Sequence, residues 1–177
     1  MRNKSRGFTL IELLLVIALM AISVGITSDI LVTIIRSYNK SQVINEIEQN
    51  ANFVSQKLTK ELRNASRVDS PVYPNASNTL QFLTKSGVTI RYRVNSSSDF
   101  AVSRDPGNGT YSALTQNISP GGVKVDCVSA NACFKIIQDN PQVVKISIKM
   151  EQPGTPGTPI FTDIITIEDT IVIRDTY

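Results

Sequence analysis

The 177-residue chain contains no histidine and only two cysteines, Cys127 and Cys133. Those absences remove most routes to catalysis at neutral pH, which usually needs a positioned base beside a nucleophile or a metal. Two thiolates are too few for a structural zinc, and their spacing, with five residues between them, is not a redox Cys-x-x-Cys. Neither a Gly-x-Ser-x-Gly turn nor a phosphate-cradling glycine loop occurs. The chain therefore reads as a non-enzyme with no cofactor and no metal.

Two further absences organise the N-terminal third. No proline occurs before Pro71, so nothing forces a helix to stop earlier. No charge occurs from Leu13 to Ser28, where the chain reads LLLVIALMAISVGITS. The formal charge of +3 comes from Arg2, Lys4 and Arg6; without them the cations and anions balance. No strong basic signature for nucleic acid remains, and Arg91 with Arg93 reads as an exposed strand face.

What is present begins with Arg6-Gly7-Phe8-Thr9-Leu10-Ile11-Glu12. Phe8 to Ile26 is about the length of helix that crosses a bilayer, roughly 20 residues. The basic head before it holds the N-terminus on the cytoplasmic side and sends the rest of the chain outward. A secretory signal would have a shorter apolar core followed by a small-residue cleavage site. Here the small residue, Gly7, precedes the apolar run, so a cut there leaves the anchor in place. Glu12 is the anomaly, since an ionised side chain at membrane depth costs on the order of 2.5–3.5 kcal/mol and normally has a partner and a purpose.

Gly7 to Glu12 resembles the type III signal of type IV pilins and type II secretion pseudopilins. The resemblance implies that a membrane-embedded aspartyl peptidase cuts after Gly7 and that the new N-terminal Phe8 is methylated. It also implies that Glu12, at the fifth mature position, sets the register of subunits in a filament. The implied partners are a prepilin peptidase/N-methyltransferase, other pilin or pseudopilin subunits, an inner-membrane assembly platform, and membrane lipid before assembly. The implied location is the bacterial cytoplasmic membrane, crossed once, and then a pilus or a periplasmic or cell-surface filament. Physically, a free amine on Phe8 and a carboxylate on Glu12 each need an opposite charge in a low-dielectric bundle. The amine can meet Glu12 of a neighbouring subunit or fold back toward its own, where a negative first turn suits the helix dipole.

Beyond Ser28 apolar residues recur at spacings of three and four through Ile44, Ile47, Ala51, Val54, Leu58, Leu62 and Ala65, with Glu46, Glu48, Lys57, Lys60 and Glu61 on the flanks. This predicts one helix from Phe8 to about Arg67, on the order of 90 Å long at 1.5 Å per residue. Gly25 is its only weak point. The lack of a proline kink differs from many major type IV pilins. Leu62-Arg63-Asn64-Ala65, closing the Asn50–Val68 segment, looks like the helix end of W-type minor pilins and J-type pseudopilins.

After a Pro, Ser and Asn-rich linker over Val68–Asn78, the period switches to two. Val88, Ile90, Tyr92 and Val94 alternate with polar residues, as do Val144, Ile146, Ile148 and Met150. Shorter strands are expected at Leu80–Thr84, Val123–Cys127 and Phe134–Gln138, and a long one within Ile160–Ile173. Turn sequences separate them, including Asp105-Pro106-Gly107-Asn108-Gly109 and Gly154-Thr155-Pro156-Gly157. The fold class is α+β: a long N-terminal helix whose Ile44–Leu62 stripe covers a mostly antiparallel sheet. The expected division is a leader over 1–7, a membrane or filament-core helix over 8–28, its amphipathic continuation over 29–67, and a β-rich extracytoplasmic head over 68–177.

On the outer side of a membrane Cys127 and Cys133 are expected to oxidise to a disulfide, contributing roughly 2–3 kcal/mol if unstrained. Free buried thiols are the alternative. Asp99 and the Asp105–Thr110 segment are compatible with a calcium loop, but they do not match EF-hand spacing and read as a turn with a solvated aspartate. Three functions compete: a non-catalytic subunit of a type IV pilus-like filament, expected to be a minor pilin; a pseudopilin of a type II secretion or DNA-uptake system; and a membrane-anchored monomeric binding module.

Overall fold

A computed structural model describes residues 8–95, 101–115, 122–129, 132–152 and 163–173. The chain divides into two compact units, Met1–Ser41 and Gln42–Tyr177. One helix, α1 (Leu10–Arg63), contributes to both. Within the first unit every described residue is exposed.

In the second unit, hereafter the head, α1 buries Ile47, Ala51, Val54, Leu58 and Leu62, which the three-and-four spacing places on one side. Val43 packs at the margin of this stripe, and Ile44 is only half-buried. Lys60 and Arg63 in the last turn complement the negative end of the helix dipole.

The helix ends at Arg63, four residues before the expected limit. Asn64 closes it by donating its N–H to the Glu61 carbonyl at 3.1 Å. The chain then becomes β1 (Ala65–Ser70), antiparallel to β3 (Thr79–Thr84). Ala65 and Val68 are buried in β1, so a three-residue spacing that suits a continuing helix is met here by a strand whose register shifts twice. The segment expected to be a linker over 68–78 thus holds the second half of β1, and also β2 (Ala76–Ser77).

The head contains two sheets. The first has the order β1-β3-β4-β5-β6, where β4 is Thr89–Asn95, β5 Ala101–Asp105 and β6 Ser112–Ala113. Ile90, Tyr92 and Val94 of β4 point inward as the alternation requires, whereas Val88 lies outside the strand and is exposed. The second sheet has the order β10-β9-β8-β2, with β8 Phe134–Asp139, β9 Gln142–Glu151 and β10 Ile164–Val172. All these pairings are antiparallel. Both sheets and the helix stripe feed one apolar core. The Gln142 side chain joins the sheets: its Oε1 accepts the Val68 N–H at 2.7 Å, and its Nε2 donates to the Val68 carbonyl at 3.2 Å. The amide thereby stands in for a partner strand along β1.

β7 (Lys124–Cys127) also pairs with β9, using Ile148 to Glu151, while β8 takes Gln142 to Ile146 on the same strand. Together β7 and β8 line β9 as one strand interrupted opposite Ser147. Val128 N–H reaches the Ser147 carbonyl, and Ser147 N–H donates to the Cys133 carbonyl at 2.8 Å. Cys127 and Cys133 are joined by a disulfide across the base of that interruption, with their Cα atoms 4.7 Å apart.

The aspartate of the Asp-Pro-Gly-Asn-Gly turn corrects the sequence reading. Asp105 is fully buried, not solvated. Its Oδ1 accepts the N–H groups of Gly107, Asn108 and Gly109 at 2.8–3.0 Å, and its Oδ2 pairs with Arg91 at 3.0 Å. A carboxylate so occupied by N–H donors is built into the turn and is not aimed at a cation. Asp99, the other half of the calcium reading, lies outside the described residues, as do Gly154 to Gly157.

Candidate processing and assembly site

The helix start is organised by its own side chains. Thr9 lies just before α1, and its carbonyl accepts the N–H groups of Glu12 at 3.1 Å and Leu13 at 3.3 Å. Glu12 Oε2 in turn accepts the Thr9 backbone N–H at 2.9 Å and the Thr9 hydroxyl at 2.9 Å. The Thr9 Oγ1 accepts the Glu12 N–H at 3.4 Å in return, which makes a reciprocal capping box with Thr9 at the cap and Glu12 three residues on. The Thr-x-x-Glu spacing carries that signal in the sequence, although the Phe8 amine is the more conspicuous partner for Glu12 there. The structure adds Thr9 of the same chain.

Phe8 is 83% exposed beside this cap. Gly7 and the basic head, residues 1–7, lie outside the described residues. Behind the cap, α1 is long and apolar enough to cross a membrane by length and composition. Four hydroxyls of its N-terminal half are satisfied within the helix: Ser23, Thr27, Ser28 and Thr33 each donate to the carbonyl four residues earlier at 2.8–2.9 Å. Such back-bonding lets polar side chains sit in a medium without water. A Cβ at Gly25 would meet nothing within 4 Å, so packing inside one chain does not demand this glycine.

Within the head a polar cluster was not anticipated. Glu61 Oε2 accepts the Tyr92 hydroxyl at 2.6 Å and Arg104 Nε at 3.0 Å, and its Oε1 pairs with Arg104 at 2.9 Å. Burial first, and then the Glu61 carboxylate, push the Tyr92 phenol above its ordinary pKa. The cluster ties α1 to β4 and β5 by a part-buried polar contact. Glu61 looks like a solvated flank residue because its partners lie 31 and 43 residues away.

Two carboxylates carry pH dependence. Burial raises the Asp105 pKa, but the N–H groups of Gly107, Asn108 and Gly109 and the Arg91 guanidinium outweigh it and hold the group below the usual carboxylate range. Lys124 above all, helped by Lys149, holds Glu151 below its ordinary value against partial burial. A depressed carboxylate contributes stability in full above its unfolded pKa, about 3.9 for Asp and 4.3 for Glu, and loses it as pH falls through the lower folded value. Acid unfolding of Asp105→Asn, followed by circular dichroism, should therefore show a shallower dependence on pH below about 4 than the unaltered chain.

No curated protein and no solved structure matches this chain. A family model does match at the N-terminus: residues 2–28 fit the prokaryotic N-terminal methylation motif. With the capping box at its centre and the apolar helix behind it, this stretch carries the signature of type IV pilin and pseudopilin precursors.

Proposed function

We propose that the protein is a non-catalytic subunit, specifically a minor pilin, of a type IV pilus-like filament. In this reading prepilin peptidase removes residues 1–7 and Phe8 becomes the methylated N-terminus. Residues 8–28 hold the chain in the cytoplasmic membrane until they enter a filament core through contact with other subunits and the assembly platform. The observation that carries the reading is the Thr9–Glu12 cap at the head of an exposed apolar helix, directly after Gly7. A simple tether could use Glu12 as a cap but has no need of Gly7 placed between a basic head and the apolar run, which disfavours the anchored binding module. A pseudopilin of a secretion or DNA-uptake system uses the same assembly physics and is the second reading.

Intact mass of the mature protein from a host with a prepilin peptidase tests the proposal. The expected product begins at N-methylated Phe8, and Gly7→Leu abolishes its formation; a product retaining residues 1–7 overturns the assignment. Glu12 is tested by two variants. Glu12→Ala removes charge and cap, whereas Glu12→Gln keeps an acceptor for Thr9 but no charge. Both should insert and fold yet enter filaments poorly. Normal incorporation of Glu12→Gln would reduce Glu12 to a helix cap and remove its registering role.

A further inference from the structure

Just beyond the membrane-crossing segment, α1 carries Asp29, Arg36 and Lys40, all exposed. None has a side-chain hydrogen-bond or ion-pair partner among the described residues. Spacings of seven and eleven residues put Arg36 and Lys40 within about 20° of Asp29 around the helix. Arg36 and Lys40, one turn apart, repel each other. Asp29 and Arg36 are about 10 Å apart along the axis, and within one chain they do not pair.

The surroundings are apolar. Ile30, Leu31, Val32, Ile34 and Ile35 are each 46–58% exposed. From Leu10 to Ile35 the exposed helix runs about 39 Å at 1.5 Å per residue, against about 30 Å of bilayer hydrocarbon. Lipid tails cannot cover all of it, and zwitterionic headgroups offer Arg36 a phosphate and Asp29 an ammonium that are mobile and hold neither side chain at a fixed level along the helix. The chain itself carries both halves of the missing pair.

We propose that a second copy of this chain covers the Ile30–Lys40 face, with Asp29 of one copy paired to Arg36 of the next. The inference rests on the filament reading above. Raising a parallel copy by four residues, about 6 Å, brings its Asp29 level with Thr33 of the first. Helical side chains lean toward the N-terminus, so the Arg36 guanidinium of the first copy reaches that level. The same step brings the raised copy's Phe8 amine level with Glu12 of the first, so one axial displacement serves both charge pairs.

The full-length chain in phosphatidylcholine vesicles tests the pairing, with donor and acceptor fluorophores on the C-termini of separate copies. Unaltered copies should transfer energy. Asp29→Lys and Arg36→Asp, each creating like-charge contacts, should weaken association roughly tenfold. The double swap should restore it to within about threefold. Single variants that associate normally, a double swap no better than the singles, or no transfer between unaltered copies would each overturn the pairing. Processing is not required in this assay. A native product keeping residues 1–7 refutes the filament reading whatever the vesicles show, and uncoupled charges refute the pairing whatever the N-terminus.

Discussion

Leu58→Ala should destabilise the head by about 2–5 kcal/mol, because it removes a fully buried side chain from a core that relaxes only in part. Leu58 is 1% exposed and lies mid-stripe, in the same apolar core as Val54, Leu62 and residues of both sheets. The neighbouring Lys57→Ala is the control. Lys57 only overhangs the Phe53 ring, 5.6 Å from its centroid, and its loss should cost under about 1 kcal/mol. Denaturant unfolding of the detergent-solubilised chain, followed by near-ultraviolet circular dichroism of the tyrosines, measures both. Equal costs would mean that the helix stripe does not pack on the head.

Glu61→Ala should cost about 2–3 kcal/mol, because it leaves the buried Tyr92 hydroxyl and the Arg104 guanidinium without their shared acceptor. The figure is set below that of a fully buried pair because the side chains of Arg104 and Glu61 keep 18% and 20% of their exposure. Glu61→Gln retains an oxygen for Tyr92 and should cost about half as much. If the two variants unfold at the same denaturant concentration, the carboxylate contributes nothing beyond an acceptor. If neither shifts the midpoint, the cluster does not fasten the helix to the sheet.

The elements that were legible in the sequence are those whose apolar period runs uninterrupted. β9 alternates through Val144, Ile146, Ile148 and Met150, and all four are buried. β7 and β10 fall within the expected segments and β3, β4 and β8 overrun theirs by one residue, and the helix stripe reads off spacing alone. β1 escaped because its only apolar residues, Ala65 and Val68, extend the helical spacing of Leu58 and Leu62. Its strand character comes from pairing with β3 and from the Gln142 amide, neither of which leaves a local trace. β2 and β6, two residues each, are too short to show any period. β5 has only Ala101 and Val102 as apolar residues.

At the candidate site, Glu12 stood out because a lone charge in an apolar run is conspicuous, and Thr9 was recoverable from the Thr-x-x-Glu spacing. Glu61 and Asp105 were not recoverable in the same way. A charged residue on a helix flank or in a proline-glycine turn reads as solvated. Only the long-range approach of Arg104 and Tyr92, or of Arg91 across β4 and β5, brings it inside.

The interruption between β7 and β8 is held from both sides at a single point. Both sides of the Cys127–Cys133 loop are anchored to the backbone of the same residue, Ser147, and the bridge closes the gap between them. The register of β7 and β8 on β9 is therefore set without reference to what lies between the cysteines. The disulfide and the Ser147 backbone, rather than the sequence of the loop itself, thus decide how β7 and β8 meet β9.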